Sequence, residues 1–204
     1  MSVPRPERPE RSDHELMADV ARGDDEAFRE IVERHQREVY GTIVKMLGDP
    51  HEAEDLAQRV FLRVYQAAPR YRPEAQFNTW LFTILRRLVF NESHRRARLQ
   101  SRQVRETPSR DGEGREYGLE APDLRQPDPS RQLAERERWE RIDAAVLALP
   151  ENQRLALLLK AHQDLSYEEI ARVLHTSVSA TKSILFRARE TLKDRLPDEF
   201  RSPE

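Results

Sequence analysis

The sequence predicts an all-α protein of two small helical domains joined by a flexible polar linker, the second domain ending in a helix-turn-helix. Three observations carry this. Apolar residues recur every three or four positions through most of the chain, and no stretch alternates as a strand does. From about Leu99 to Gln132 that spacing gives way to a run rich in Arg, Glu, Asp, Pro and Gly, the composition of a linker or of a segment that folds only on a partner. Ser166 to Leu196, SYEEIARVLHTSVSATKSILFRARETLKDRL, reads as a short helix, a tight turn and a long helix.

Composition narrows the class. The 204 residues include no cysteine, which excludes disulfides, thiolate metal sites and cysteine nucleophiles. Charged residues make up 35% and hydrophobic residues 37%, enough for one or two small helical cores. No apolar run approaches the roughly 20 residues of a membrane span. The opening MSVPRPERPERSD has no apolar signal-peptide core. A cytoplasmic protein with no membrane insertion is therefore expected. The six Gly are scattered, the six His lie far apart, and no phosphate loop, two-His zinc pairing or local nucleophile motif appears. The expectation is no enzyme, no catalytic residues, no cofactor and no metal. Net charge is only −2, but its distribution is uneven. Asp24 to Asp55 holds ten acids against four bases, and Arg86 to Arg105 holds seven Arg against one Glu. Such a split suggests two partners, a basic protein surface and a nucleic acid.

Taken in order, residues 1–12 read as a disordered Pro- and Arg-rich tail. A short helix over 13–22 turns Leu16, Met17 and Val20 inward and stops at Gly23. A second over 24–47 carries Phe28, Ile31, Val32, His35, Val39, Ile43 and Met46 on its inner face. Gly48-Asp49-Pro50 ends it and opens a third over 50–68, with Ala53, Leu56, Ala57, Val60, Phe61, Val64 and Tyr65 inside. Asp55, Gln58, Arg59 and Arg63 are left outside, free for a partner or simply solvated. PRYRPEAQ, 69–76, is a loop between prolines. A fourth helix over 77–98 puts Leu81, Ile84, Leu85 and Leu88 in the core and crowds Arg86, Arg87, Asn91, His94, Arg95, Arg96 and Arg98 elsewhere. An aromatic-bearing loop leading into an Arg-studded helix has the composition that holds a single strand, with rings stacking on bases and guanidinium groups taking the backbone. At least two of Phe77, Trp80 and Phe82 are expected in the core. Seven like charges on one helix and its tail repel unless something anionic sits among them. After the 99–132 linker, a helix over 133–148 uses Trp139, Ile142, Val146 and Leu149, and another over 151–162 uses Leu155, Leu158 and Leu159.

The closing pair of helices completes the second domain. Ser166 and Glu169 are placed for a capping box, and His175-Thr176-Ser177 is the turn. The last helix, 178–195, has a seam of Val178, Thr181, Leu185, Ala188 and Leu192. Ser179, Ala180, Ser183 and Arg187 point away from it, flanked by Lys182 and Phe186. Small residues at the leading end let such a helix sink into the major groove, where Lys and Arg reach phosphates or guanine edges. A helical hairpin with a solvated polar face fits the same residues.

Four blocks in this order resemble a bacterial RNA polymerase sigma factor of the extracytoplasmic-function (ECF) group. DEAFREIVERHQREVY is similar to the start of its first domain, DLAQRVFLRVYQ to the polymerase-binding helix, and FNTWLFTILRRLVFNESHRR to the segment that melts and reads the −10 element. LPENQRLALLL with SYEEIARVL and ATKSILFRARETL resembles the domain that reads the −35 element. The resemblance implies a first domain over 13–98, a linker over 99–132, a second domain over 133–196 and a tail over 197–204. It implies a transcription initiation factor whose partners are core RNA polymerase, promoter DNA and an anti-sigma factor. Asp55, Gln58 and Arg59 would dock on the polymerase. Asn78, Thr79, Trp80, Arg86, Arg87, Asn91 and Arg95 would hold the −10 element, with loop 69–76 as a wall of the base pocket. Ser179, Lys182, Ser183, Phe186 and Arg187 would read the −35 element. The chain departs from the family where Arg86-Arg87 stands for Arg-Asn, Asn91 for an Asp, Ile184 for an Arg, and Ser177 and Ser179 for Pro and Gly. A plain helix-turn-helix regulator that binds duplex DNA explains 166–196 equally well but leaves the Arg-rich helix unexplained. An adaptor built of two helical bundles predicts no DNA binding at all.

Overall fold

A computed structural model describes residues 11–103 and 129–196, and every regular element within them is helical. The expectations of disorder for residues 1–10 and 197–204, and of a linker for 104–128, lie outside the described residues. The first domain consists of α1 (Asp13–Ala21), α2 (Asp25–Leu47), α3 (Pro50–Ala67), a 3-10 turn (Ala68–Arg70) and α4 (Phe77–Gln103). Local chemistry sets the boundaries. Ser12 and Glu15 cap α1 reciprocally. Asp24 accepts from Glu26 and Ala27 N–H at the start of α2. Gly48, at φ +71°, ends α2 in the left-handed region. Asp49 caps α3, whose first residue is Pro50. Leu16, Met17, Ile31, Ile43, Leu56, Val60, Leu81, Phe82 and Leu85 are buried together. Each contributes about 1.5–3 kcal/mol by leaving water.

The second domain consists of α5 (Pro129–Leu147), α6 (Glu151–His162), α7 (Tyr167–Leu174) and α8 (Val178–Arg195). The capping box of Ser166 and Glu169 forms as expected, and His175 at φ +53° ends α7. Ser177 then caps α8 by accepting from Ala180 N–H. Leu149, Leu155, Leu159, Ile170, Val173, Leu185 and Ala188 are buried.

Several expectations are corrected. Arg11 and Ser12 belong to the fold, not the tail: the Arg11 guanidinium pairs with Asp19 at 3.0 Å and Glu30 at 2.6 Å. α4 continues beyond 98 to Gln103, and α5 starts at Pro129, not 133. In α4 the added residues are mostly Leu, Gln and Arg, good helix formers that extend a helix past its last core contact. Trp139 is 64% exposed, in a run in which the side chains of 135–141 are all exposed and packing begins at Ile142. Tyr65 is 40% exposed and meets Phe28 edge-on at 5.0 Å, on the rim of α3 and not inside it.

The two domains touch. α7 lies against α4, and α5 and α6 meet α2. Arg154 of α6 donates to the carbonyls of Leu147 and Leu149 and, across the boundary, to that of Met46. The Leu147 side chain fills the space a Cβ on Gly48 would need.

Candidate nucleic-acid and partner interfaces

On α8 the buried seam and the outer face separate cleanly. Thr181, Leu185 and Ala188 are buried, with Val178 and Leu192 half-buried beside them, whereas Ser179, Lys182, Ser183, Phe186 and Arg187 are all exposed. Steps of three, one, three and one residues keep those five on one face. Ser183 donates back to the Ser179 carbonyl at 3.1 Å. The Lys182 ammonium lies 5.6 Å over the Tyr167 ring. Phe186 is 65% exposed with no core role. Ile184, where the family often has Arg, packs toward the core.

The seven residues expected on the −10 strand fall on two sides of α4. Trp80, Arg87, Asn91 and Arg95 follow spacings of seven, four and four and form one stripe, with Arg87, Asn91 and Arg95 exposed. Trp80 is half-buried and takes the Tyr71 ring edge-on at 4.7 Å. Phe77 and Phe82 are in the core. Tyr71 of the preceding loop does not stand free: its hydroxyl pairs with His14 Nδ1 at 2.6 Å. Burial, with Asp13 nearby, pushes its pKa up to about 12. Asn78, Thr79 and Arg86 lie off the stripe. Thr79 is 2% exposed, Asn78 Oδ1 is buried without a partner, and Arg86 lies 4.8 Å over the Phe90 ring, where burial lowers its pKa.

The Arg cluster is less unbalanced than its composition implies. Buried Glu92 accepts from Arg95 at 2.9 and 3.0 Å and stands 4.0 Å from Arg96 and 3.9 Å from Arg59. Arg96 also pairs with Glu52 and donates to the Leu47 carbonyl at 3.3 Å. Part of the anionic complement is therefore the chain's own, and Arg96 ties α4 to the α2–α3 corner. Arg87 makes no ion pair among the described residues.

Asp55, Gln58 and Arg59 are all exposed on α3, at steps of three and one residues. Arg59 leans toward Glu92 of α4, whereas Gln58 borders a groove of about 990 Å³ between α2 and α3. Phe28, Val32, Tyr40, Leu62 and Tyr65 give that groove its apolar lining, and Leu62 is 55% exposed. Helical spacing placed Phe28, Val32 and Tyr65 inside and passed over Tyr40 and Leu62. A single exposed leucine is no signal; it is the contiguity of Leu62 and Tyr40 with Phe28, Val32 and Tyr65 that marks the groove, and that appears only once α2 and α3 pack. Among the described residues no group of three or more His, Cys, Asp or Glu is placed to hold a metal. No described helix is long and apolar enough to cross a membrane.

Comparison with known proteins gives the same division. The family model for sigma-70 region 2 matches residues 31–99, and that for sigma-70 region 4 matches 139–192. The chain is 33% identical over 180 residues to RNA polymerase sigma-H factor of Pseudomonas aeruginosa, covering 88% of this chain and 91% of that one. It is 30% identical over 179 residues to ECF RNA polymerase sigma factor SigW of Bacillus subtilis, covering 88% and 94%. Against ECF RNA polymerase sigma-E factor of Escherichia coli K12 it is 30% identical over 190 residues, covering 91% and 94%. Among solved structures, CnrH in complex with the cytosolic domain of CnrY matches with a TM-score of 0.62 at 22% identity, covering 89% and 95%. Sigma factor RpoE in complex with the anti-sigma factor NepR from Bartonella quintana matches with 0.59 at 23%, covering 82% and 94%. These two carry the fold. With regions 2 and 4 both present, the plain-regulator and adaptor readings fall away. The chain is a non-catalytic RNA polymerase subunit that directs core enzyme to the −10 and −35 elements of promoters, and it belongs to the ECF family of sigma factors.

Proposed function

We propose that initiation by this sigma factor is divided among three surfaces. The outer face of α8, Ser179, Lys182, Ser183, Phe186 and Arg187, reads the −35 duplex. Arg87, Asn91, Arg95 and Trp80, with Asn78, Thr79 and Arg86 behind them, capture the non-template strand of the −10 element. The α2–α3 groove with Gln58 on its border docks on core polymerase, and Asp55 and Arg59 contribute from the adjoining face of α3. The domains are taken as the 13–98 and 133–196 of the resemblance, widened by Arg11 and Ser12 and by the helix ends at Gln103 and Pro129. The protein works in the cytoplasm, where its polymerase is. An anti-sigma factor, the kind of partner seen with RpoE, competes for the groove.

One observation supports this above the others: five exposed side chains share the face of α8 opposite a seam in which Thr181, Leu185 and Ala188 are buried and Val178 and Leu192 half-buried. Their chemistry suits a major groove, with small residues leading and cations reaching base edges or phosphates. Strand opening then needs no ATP. Unstacking costs on the order of 1.4 kcal/mol per base step, and stacking or pocketing a base returns roughly 1–3 kcal/mol. The near balance explains why the polymerase's own contacts are required.

The test is holoenzyme made with Arg187→Ala or Lys182→Ala, transcribing a library randomised only in the −35 element. Arg187 projects farthest from the seam and is assigned to a base edge or its bordering phosphate. Its loss should cost roughly 1–3 kcal/mol and relax preference at one position. Lys182 is assigned to the backbone, and its loss should weaken all sequences and lower the salt slope by about one. An Arg187→Ala holoenzyme with unchanged preference and output would show that this helix is wrongly placed in the groove.

A further inference from the structure

We propose that Glu92 is a positioning residue for −10 capture: a buried carboxylate that cancels the charge of Arg95 and holds its guanidinium in one orientation, so that this arginine selects a base by geometry and adds little attraction for phosphate. The inference rests on the assignment of Arg95 to the −10 strand made above.

From Arg86 to Arg98 the sequence holds five Arg and a single acid, Glu92. That acid is 8% exposed, although its neighbour Asn91 and the Arg95 one turn later are both exposed. A carboxylate withdrawn from water has to be paired, and Glu92 is paired on two sides. Its Oε1 accepts from Arg95 Nε at 2.9 Å and from Arg95 Nη2, and its Oε2 accepts from Nε at 3.0 Å. On the α3 side, Arg59 Nη1 stands 3.9 Å from Oε2. Arg96 comes within 4.0 Å but has Glu52 as its nearer partner. Arg95 has no ion pair besides Glu92 among the described residues.

This grip occupies one edge of the guanidinium fork. Glu92 takes the Nε hydrogen and one hydrogen of Nη2, which leaves the end formed by Nη1 and the rest of Nη2. The Arg95 side chain is 56% exposed, so that end faces solvent or a strand. A fork held rigidly at one edge presents its other donors in one direction, the geometry that grips paired acceptors on a base. Charge balance acts alongside. A free arginine on a strand-binding face gains from any phosphate and binds every sequence alike. An arginine already neutralised by a carboxylate adds directional hydrogen bonds with little net charge. Arg87, without an ion pair among the described residues, supplies the attraction, and Arg95 with Glu92 supplies the selection.

The test is holoenzyme made with Glu92→Gln, which keeps the size of the side chain and removes its charge. The probes are two labelled single strands, one carrying the −10 sequence that a promoter library selects and one carrying that sequence scrambled. Each is titrated at several salt concentrations. The variant should bind the scrambled strand more tightly at low salt, with a slope against log salt steeper by about 0.7, the value for one released cation on a single strand. Selectivity between the two strands should fall at least about fivefold, the lower end of what one bidentate contact discriminates. A substitution that merely loosened the first domain would weaken both strands and leave the slope alone, and that result overturns the proposal. In an Arg95→Ala background, Glu92→Gln should lower selectivity no further, because Glu92 acts through Arg95. An undiminished further loss there also overturns it. Arg95 is exposed, so Arg95→Lys leaves the core intact and serves if Glu92→Gln does not fold. It keeps the charge and loses the fork. Selectivity should again fall at least about fivefold, now with the slope unchanged, and unchanged selectivity overturns the proposal. An Arg95→Ala holoenzyme that matches the unsubstituted one in both slope and selectivity would instead overturn the −10 assignment beneath it.

Discussion

Glu92 changes the meaning of the arginines around it. Four guanidinium groups on or near one helix end carry different burdens. Arg95 and Arg96 are held by Glu92, Glu52 or both, and Arg59 leans toward the same carboxylate, while Arg87 stands alone among the described residues. Arg87 is the residue whose charge is wholly available to a strand. Arg87→Ala should therefore impair opening at a duplex promoter more than binding to a pre-melted one, if it captures a flipped base. Arg95→Ala should show the smaller effect on both templates. Equal loss on the two templates for Arg87→Ala would make it a simple phosphate contact. Asp13 carries a second residue-scale expectation. Burial alone would raise its pKa, but hydrogen bonds and charge from His35 and Arg34 outweigh that and hold it below the usual carboxylate range. A carboxylate lowered by folding stabilises the native state at any pH above its unfolded value and ceases to do so as pH falls through the folded one. Thermal melts should thus show extra loss of stability below about pH 4, and Asp13→Asn should remove that part of the acid dependence while lowering stability at neutral pH.

Among the helices, α3 does most to link sequence to partner. Leu56, Val60 and Val64 anchor its inner stripe, which leaves two outer aspects. One bears Asp55 and Arg59. The other borders the groove through Gln58, Leu62 and Tyr65. If the groove is the principal docking surface, Leu62→Glu should weaken binding to core polymerase at least as much as charge reversal at both Asp55 and Arg59. Each variant should keep its helical circular dichroism, because none of the three side chains is buried. A Leu62→Glu chain with undiminished affinity for core would return the docking role to the Asp55–Arg59 aspect. Burying an exposed leucine is worth about 1.5–3 kcal/mol, so the expected loss is one to two powers of ten in affinity.

For the whole molecule, the distribution of charge sets the expectation for DNA binding. A net charge of −2 and two separate basic patches give little of the counterion release that drives non-specific duplex binding. The isolated chain should bind duplex DNA weakly and with little sequence preference at physiological salt. Specificity should appear only when core polymerase is added, as measured by competition between promoter and random duplexes. Tight, specific duplex binding by the chain alone would contradict this. It would also mean that the α8 face works without the polymerase to position it.

What the sequence determined by itself is local. Helix boundaries follow from Ser12, Asp24, Asp49, Ser166 and Ser177 as caps and from Gly48 and His175 as stops, each acting within a few residues. The α8 seam and its exposed face follow from spacing alone, because a helix fixes the direction of every side chain relative to its neighbours. Spacing does not say where a neighbouring helix ends or what lies opposite a given side chain. Trp139 and Tyr65 have the spacing of core residues, yet they stand at the margins of their packing faces. The charge balance around Arg96 needed Glu52, 44 residues away. The cover over Thr79 needed Glu169, 90 residues away. The α2–α3 groove exists only once two helices that are each amphipathic alone pack and leave their second apolar edges unfilled. Contacts between distant elements, which no window along the chain contains, decided those features.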